Sequence, residues 1–265
     1  DARHSDDLGV IFGEPDIDLD QVRDFKDRVV DRLANGLMSL ADSRDIQVIQ
    51  GRAEFEDART LRLHGTDLAR VHFDHAIIAT GSHTIALPGT EFEDGGRIME
   101  STGALLLKDV PERLLVVGGG YVGLELGSVY AALGSEVTVV EMLDHVLANS
   151  DEDLARPLVN RIDEIFGAVY TDTKVAEMEE GEDEVTVTLD GDVEDKEQAF
   201  DRVLVAIGRR PNSKNLGLEN TDVEVDDRGF IQVDDRQRTA DDHIFAIGDV
   251  VGGMMLAHKA MYEGK

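Results

Sequence analysis

"VVGGGYVGLELG", residues 116–127, stands at the end of an apolar run, "LLVV" (Leu114–Val117), and at the start of a helical pattern that continues to about Leu133. A short apolar run bounded by polar residues reads as a strand buried on both faces. Gly118, Gly120 and Gly123 then have the spacing of a strand–turn–helix that binds a dinucleotide. Gly118 permits the tight turn, Gly120 lets the backbone approach a pyrophosphate, and Gly123 lets the helix pack closely on the strand. The helix N-terminus offers N–H groups and a partial positive charge to the phosphates. A second strand, Val137–Val140, ends at Glu141, 23 residues after Gly118 (141 minus 118). An acid there accepts hydrogen bonds from a ribose diol and repels an added 2′-phosphate, which predicts NAD rather than NADP as the ligand.

Outward from this motif the chain repeats itself. "FDHAIIATG" (73–81) and "FDRVLVAIG" (200–208) both end an apolar run in Ala-x-Gly, and "DHIFAIGD" (242–249) is a partial third copy. Each of the first two is approached by a helical pattern and then short alternating strands. The pattern predicts an α/β protein with two tandem Rossmann-like dinucleotide-binding domains, each carrying a β-meander. The first is expected to be incomplete, because no glycine fingerprint precedes its helix. Expected bounds are 1–102, 103–233 and a return segment, 234–265. A strand stopping at Thr80-Gly81-Ser82 or at Ile207-Gly208 lets backbone come close to a ligand. Asp249, at the mouth of the third copy, is placed either to hold a sugar or ribityl hydroxyl or simply to cap a helix.

Composition narrows the function. The 265 residues hold 56 Asp and Glu against 26 Lys and Arg, a formal charge of −30, which repels nucleic acid and anionic membranes. The acids are spread along the chain and read either as ordinary solvated faces or as a surface that works in high salt, where screening removes self-repulsion. No apolar run approaches the roughly 20 residues needed to cross a bilayer, and "DARHSDDLGV" lacks the basic start and apolar stretch of a signal peptide. A cytoplasmic location is expected. His72 and His75 in "HFDH" suggest a metal pair, but strand residues three apart face opposite sides, so no metal site is expected.

"VVGGGYVGLELG", "IIATGS", "AIGRRPN", "TADDHIFAIGDV" and "MLAHKAMYEG", in that order, resemble the flavin-dependent pyridine nucleotide–disulfide oxidoreductases over nearly the whole chain. The "MLAHKA" stretch points to the dihydrolipoamide dehydrogenase branch, and the acidic composition resembles its haloarchaeal members. The resemblance implies FAD and NAD as cofactors. On the FAD side it implicates Ala53, Thr80, Gly81, Ser82, Asp249, Met255, Leu256, Ala257 and His258; the family usually has Gly where Ala53 stands. On the NAD side it implicates Gly118, Gly119, Gly120, Tyr121, Val122, Gly123, Leu124, Glu125, Glu141, Val175 and Gly208. Tyr121 matches a position that covers the flavin until nicotinamide arrives, and Glu125 one near the nicotinamide.

The resemblance further implies oxidation of protein-bound dihydrolipoamide, with hydride passing through FAD to NAD⁺. The partner is then a lipoyl domain of a 2-oxoacid dehydrogenase or glycine-cleavage complex, and the full-length protein a homodimer. The family's redox disulfide and first phosphate loop, and the interface domain that carries its acid–base histidine, are expected ahead of and beyond these residues. That accounts for the absence of cysteine and leaves no catalytic residue to assign within the chain, which alone is expected to be inactive. Two alternatives stay open: an NADH oxidase or mercuric reductase type of flavoenzyme, and a non-catalytic NAD-binding module.

Overall fold

The computed structural model describes residues 9–10, 16–148 and 150–265. It divides into two compact units, one of Asp1–Asp45 with Ala86–Ile207, the other of Ile46–Ile85 with Gly208–Lys265. The opening stretch read above for a targeting signal lies almost entirely outside the described residues.

The first unit is built on a parallel sheet. Its strands are β6 (Ile98–Met99), β7 (Arg113–Val117), β8 (Glu136–Val140), β9 (Ala168–Tyr170) and β13 (Arg202–Val205), in the order β6-β13-β7-β8-β9. β7 pairs in parallel with β8 and with β13, so it lies in the middle, as its uninterrupted apolar run requires. Alternate side chains of β7 enter different layers. Leu114 and Val116 pack with Leu124 and Tyr130 of α3 (Tyr121–Leu133) and with Ile162 of α4 (Glu152–Ile165). Leu115 and Val117 pack with Val185, Val187 and Leu189 of an antiparallel meander, β10 (Lys174–Glu180), β11 (Val185–Asp190) and β12 (Glu197–Phe200). Helices, sheet and meander thus form three layers over two cores. Each fully buried Leu or Val contributes about 1.5–3 kcal/mol.

α1 (Leu19–Asp42) opens on Asp18, whose carboxylate accepts the Gln21 N–H, and its N-terminal end packs on this unit. Leu19 and Val22 pack on the helical core, and Arg23 donates to the Leu107 and Lys108 carbonyls at 2.9 and 3.0 Å.

The second unit repeats the plan in reduced form. Its meander is β1 (Arg52–Asp57), β2 (Thr60–His64) and β3 (Arg70–His72). β4 (Ala76–Ile78), from the first copy of the Ala-x-Gly repeat, pairs in parallel with β15 (Ile244–Ala246), from the third, in the register Ala76↔Ile244. β5 (Ser82–Thr84) runs antiparallel to β14 (Arg209–Pro211). Phe55, Ile78, Leu218, Ile231, Ile244 and Val250 form the core, and α5 (Ala257–Glu263) closes the unit.

These compact units change at places other than the expected bounds of 102/103 and 233/234. Residues 86–102 join the first unit because Ile98 and Met99 add β6 to its sheet. Residues 208–233 join the second because β14 pairs with β5 and because Leu218, Val223 and Ile231 fill its core. Gly217 rests so close to β1 that a Cβ there would lie 2.4 Å from the Phe55 carbonyl oxygen. Among the described residues, no helix is long and apolar enough to cross a membrane and no group of three or more His, Cys, Asp or Glu could hold a metal ion.

Candidate functional site

The turn from β7 into α3 is set by steric exclusion. Gly118 takes φ +109°, and a Cβ there would lie 2.5 Å from the Ala206 carbonyl oxygen, a conformation and a contact that only glycine tolerates. Its N–H donates to the Val140 carbonyl at 2.8 Å and so carries the β7–β8 pairing into the bend. Gly123 brings α3 onto the strand, since a Cβ on it would stand 2.3 Å from the Gly118 carbonyl oxygen and 2.9 Å from Val116 Cγ1. Gly120 is different, because a Cβ there would meet nothing within 4 Å. It is the N-cap of the 13-residue α3. Open space faces a helix N-terminus at that point, which is what a pyrophosphate requires.

Glu141 closes the loop. Its Oε2 accepts the Gly119 N–H at 2.6 Å and its Oε1 the Leu143 N–H at 2.8 Å. Its backbone is fixed as well, donating to the Tyr170 carbonyl at 2.8 Å and accepting from the Thr173 N–H at 3.0 Å. Gly119 is held down from the other side by the Leu147 N–H, 2.9 Å from its carbonyl. The acid expected to bind a ribose therefore also holds the phosphate loop.

The remaining NAD-side positions divide by exposure. Tyr121, 45% exposed, and Glu125 lie on the outer face of α3, and Val122 is half-buried. Leu124 is fully buried in the helical core, and its N–H donates to the Gly120 carbonyl within the helix, so its side chain serves packing. Val175 is half-buried against the meander core beside a bulge in β10. Gly208 belongs to the second unit, at φ +124°, with its carbonyl accepting the Ile85 N–H at 3.0 Å.

The flavin-side positions all fall within the second unit. Ser82 donates to Asp249 Oδ2 at 2.5 Å, and Arg209 Nε donates to Ser82 Oγ at 2.6 Å while its Nη2 donates to the Ser82 carbonyl at 2.7 Å. Thr80 and Asn212 exchange two hydrogen bonds, Thr80 Oγ1 to the Asn212 carbonyl at 2.7 Å and Asn212 Nδ2 to the Thr80 carbonyl at 2.9 Å. Gly81, between them, presents open space at its Cβ position. Asp249 sits in a 3-10 turn, Gly248–Val251, and its Oδ1 carries no protein hydrogen bond among the described residues, so it can accept from a polyol hydroxyl. Ala53 lies half-buried in β1 opposite Leu63. Met255 and Leu256 lead into α5, whose first residues, Ala257 and His258, are exposed. Sequence reading passed over Arg209 and Asn212, although both stand inside "AIGRRPN". Nothing in that stretch says which oxygen atoms they meet.

The chain is similar to known proteins. A family model described as pyridine nucleotide-disulphide oxidoreductase matches residues 5–264. The chain is 46% identical over 266 residues to a dihydrolipoyl dehydrogenase of Haemophilus influenzae, covering all of this chain and 55% of that one. It is 44% identical over 271 residues to dihydrolipoyl dehydrogenase 2 of Haloarcula marismortui, covering 100% and 57%. Among solved structures it is similar to LpdA of Mycobacterium tuberculosis, with a TM-score of 0.86 and 28% identity over 99% of this chain and 57% of that one. It is also similar to the HOCl-induced flavoprotein disulfide reductase RclA of Escherichia coli in its Cu(II) complex, with a TM-score of 0.81 and 32% identity over 93% and 56%. The chain thus spans a little over half the length of these relatives.

Proposed function

Since this chain belongs to the pyridine nucleotide-disulphide oxidoreductases, we propose that it forms the dinucleotide-binding portion of a flavoenzyme that oxidises protein-bound dihydrolipoamide and passes hydride through FAD to NAD⁺. The relatives' names support the substrate. The Gly118–Gly123 bend with Glu141 on the Gly119 N–H is the one observation that carries NAD binding. In the first unit, α3 directs its N-terminus at a pyrophosphate across Gly120, and Glu141 sets ribose preference. In the second, Asp249 Oδ1 would accept from the ribityl chain, with Ser82 and Arg209 orienting that carboxylate, and Met255–His258 would help to hold the isoalloxazine. When bound, the flavin supplies a two-electron relay between disulfide and nicotinamide. The chain holds no cysteine, so by itself it has no group to exchange with a dihydrolipoyl thiol.

The partners proposed are a lipoyl domain of a 2-oxoacid dehydrogenase or glycine-cleavage complex and a second copy of the full-length protein, in the cytoplasm. The test is made on the full-length protein, which is expected to be yellow with bound flavin and to reduce NAD⁺ with free dihydrolipoamide. A colourless protein that binds NADH overturns the flavin reading. A flavoprotein that oxidises NADH with oxygen or reduces Hg(II) while ignoring dihydrolipoamide overturns the substrate.

A further inference from the structure

α5 has little of its own to hold it in place. It is a seven-residue helix with no capping side chain at Leu256 and no buried residue, and a helix that short is unstable in isolation. Its anchor is a pair of side chains one turn apart. Glu263 Oε2 accepts the Gly248 N–H at 2.7 Å, and Lys259 Nζ donates to the Gly248 carbonyl at 3.2 Å. The two side chains close the ring through an ion pair at 2.6 Å, with only 20% and 11% of their surfaces exposed. The fit is close on both sides: a Cβ on Gly248 would lie 3.2 Å from Ala260 Cβ, and one on Gly253 would lie 3.2 Å from Lys259 Cε. Gly248 directly precedes Asp249.

We propose that Lys259 and Glu263 are positioning residues that grip both polar groups of Gly248 and thereby tie the Met255–His258 segment to the Asp249 carboxylate. This rests on the reading that Asp249 and that segment hold the flavin. The order of the pair is what distinguishes a clamp from an ordinary i, i+4 ion pair. An acceptor must stand at 263 to receive the N–H, and a donor at 259 to reach the carbonyl. Exchanging them, K259E/E263K, keeps the ion pair but sets an ammonium against an N–H and a carboxylate against a carbonyl oxygen.

The experiment compares full-length wild type, E263A, E263Q, K259E/E263K and D249N, each as isolated. Two quantities are read, hydrogen exchange at the Gly248 amide and the FAD dissociation constant. Losing a charge-assisted bond to a backbone N–H is expected to speed Gly248 exchange at least about tenfold in E263A and in the exchanged pair. FAD affinity falls in the same two variants, and E263Q, which still offers an oxygen acceptor, lies between them and wild type. Unchanged exchange at the Phe55 amide, which donates to the Leu216 carbonyl in the core of the same unit, reports that folding is intact. If K259E/E263K exchanges and binds FAD like wild type, the pair is a helix-surface ion pair and the clamp is refuted. Wild-type affinity in D249N refutes the flavin reading instead, and Gly248 exchange still decides the clamp.

Discussion

Gly120 and Gly123 belong to one motif but answer to different constraints, and alanine at each separates them. At 123 the added Cβ would stand 2.3 Å from the Gly118 carbonyl oxygen and 2.9 Å from Val116 Cγ1. Ordinary contact begins near 3.5 Å, so α3 must retreat from β7 by roughly 1 Å. That retreat opens the packing of Leu124 and Tyr130 over Leu114 and Val116, and overpacking of this kind costs about 2–3 kcal/mol. In a unit of this size the expected fall in Tm is about 4–12 °C. Gly120→Ala meets no atom within 4 Å, so stability should move by less than about 0.5 kcal/mol. Its methyl instead fills the space in front of the α3 N-terminus and should weaken ADP-ribose binding at least about tenfold, because only glycine allows that approach. Thermal unfolding of the full-length protein and calorimetric titration with ADP-ribose read the two effects. Should G120A bind ADP-ribose as wild type does, the ligand does not approach over residue 120 and the assignment of the loop is wrong. A G123A protein as stable as wild type would refute the packing argument.

Glu141→Ala removes the acceptor of two N–H groups; at about 1.5–3 kcal/mol per charged bond, NAD⁺ affinity should fall by at least tenfold and the preference over NADP⁺ should shrink, as read by paired titrations. Arg209→Met deprives Ser82 of two donors and should weaken FAD binding about tenfold; Lys should restore only part, because a single ammonium cannot reproduce the guanidinium fork. Glu56 is held at about 2 instead of 4.5, first by its hydrogen bond from Arg70 and then by that from Arg62. A carboxyl depressed on folding stabilises above its unfolded value, so this contribution is complete above pH 4.5 and disappears as pH falls towards 2. Urea midpoints of wild type and E56Q should therefore differ at pH 6 and converge in acid; a gap that persists at pH 2 contradicts the assignment. With a formal charge of −30, the protein should gain several degrees in Tm when KCl rises from about 0.1 to 1 M and the screening length drops from about 10 to 3 Å; a flat profile rules out the high-salt reading.

The glycine bend was legible in the sequence because its causes are local: a strand, a turn and a helix within a few residues, and an acid at the end of the next strand. The two meanders were legible for the same reason, each being alternation between turns. Unit membership was not. Whether Arg209–Pro211 continues the first unit or crosses to β5 depends on a partner more than a hundred residues away in sequence, and the local pattern is silent on it. α1 shows the same limit: its helical pattern was evident, but its attachment by Leu19, Val22 and Arg23 was not. Nothing in the sequence singles out Lys259 and Glu263, because the Gly248 peptide they hold lies eleven and fifteen residues away along the chain.

The repeat acquires a physical meaning at its three ends. Each copy stops on a glycine with positive φ, Gly81 at +70°, Gly208 at +124° and Gly248 at +79°, a turn that side chains rarely permit. The residue after each is polar: Ser82, Arg209 and Asp249. β4 lies beside β15 and β14 beside β5, so the three turns come together and those three side chains form one chain of hydrogen bonds, Arg209 to Ser82 to Asp249. Repetition at the level of strands has thus produced convergence at the level of side chains. A guanidinium oriented on a hydroxyl, and the hydroxyl on a carboxylate, leaves Asp249 with one oxygen fixed and the other without a protein hydrogen bond among the described residues. The same strand end serves differently in the first unit, where the Ala206 carbonyl, two residues before Gly208, walls the Gly118 turn and excludes every side chain but hydrogen. One repeated strand ending therefore shapes both candidate sites, by steric exclusion at Gly118 and by hydrogen bonding at Asp249.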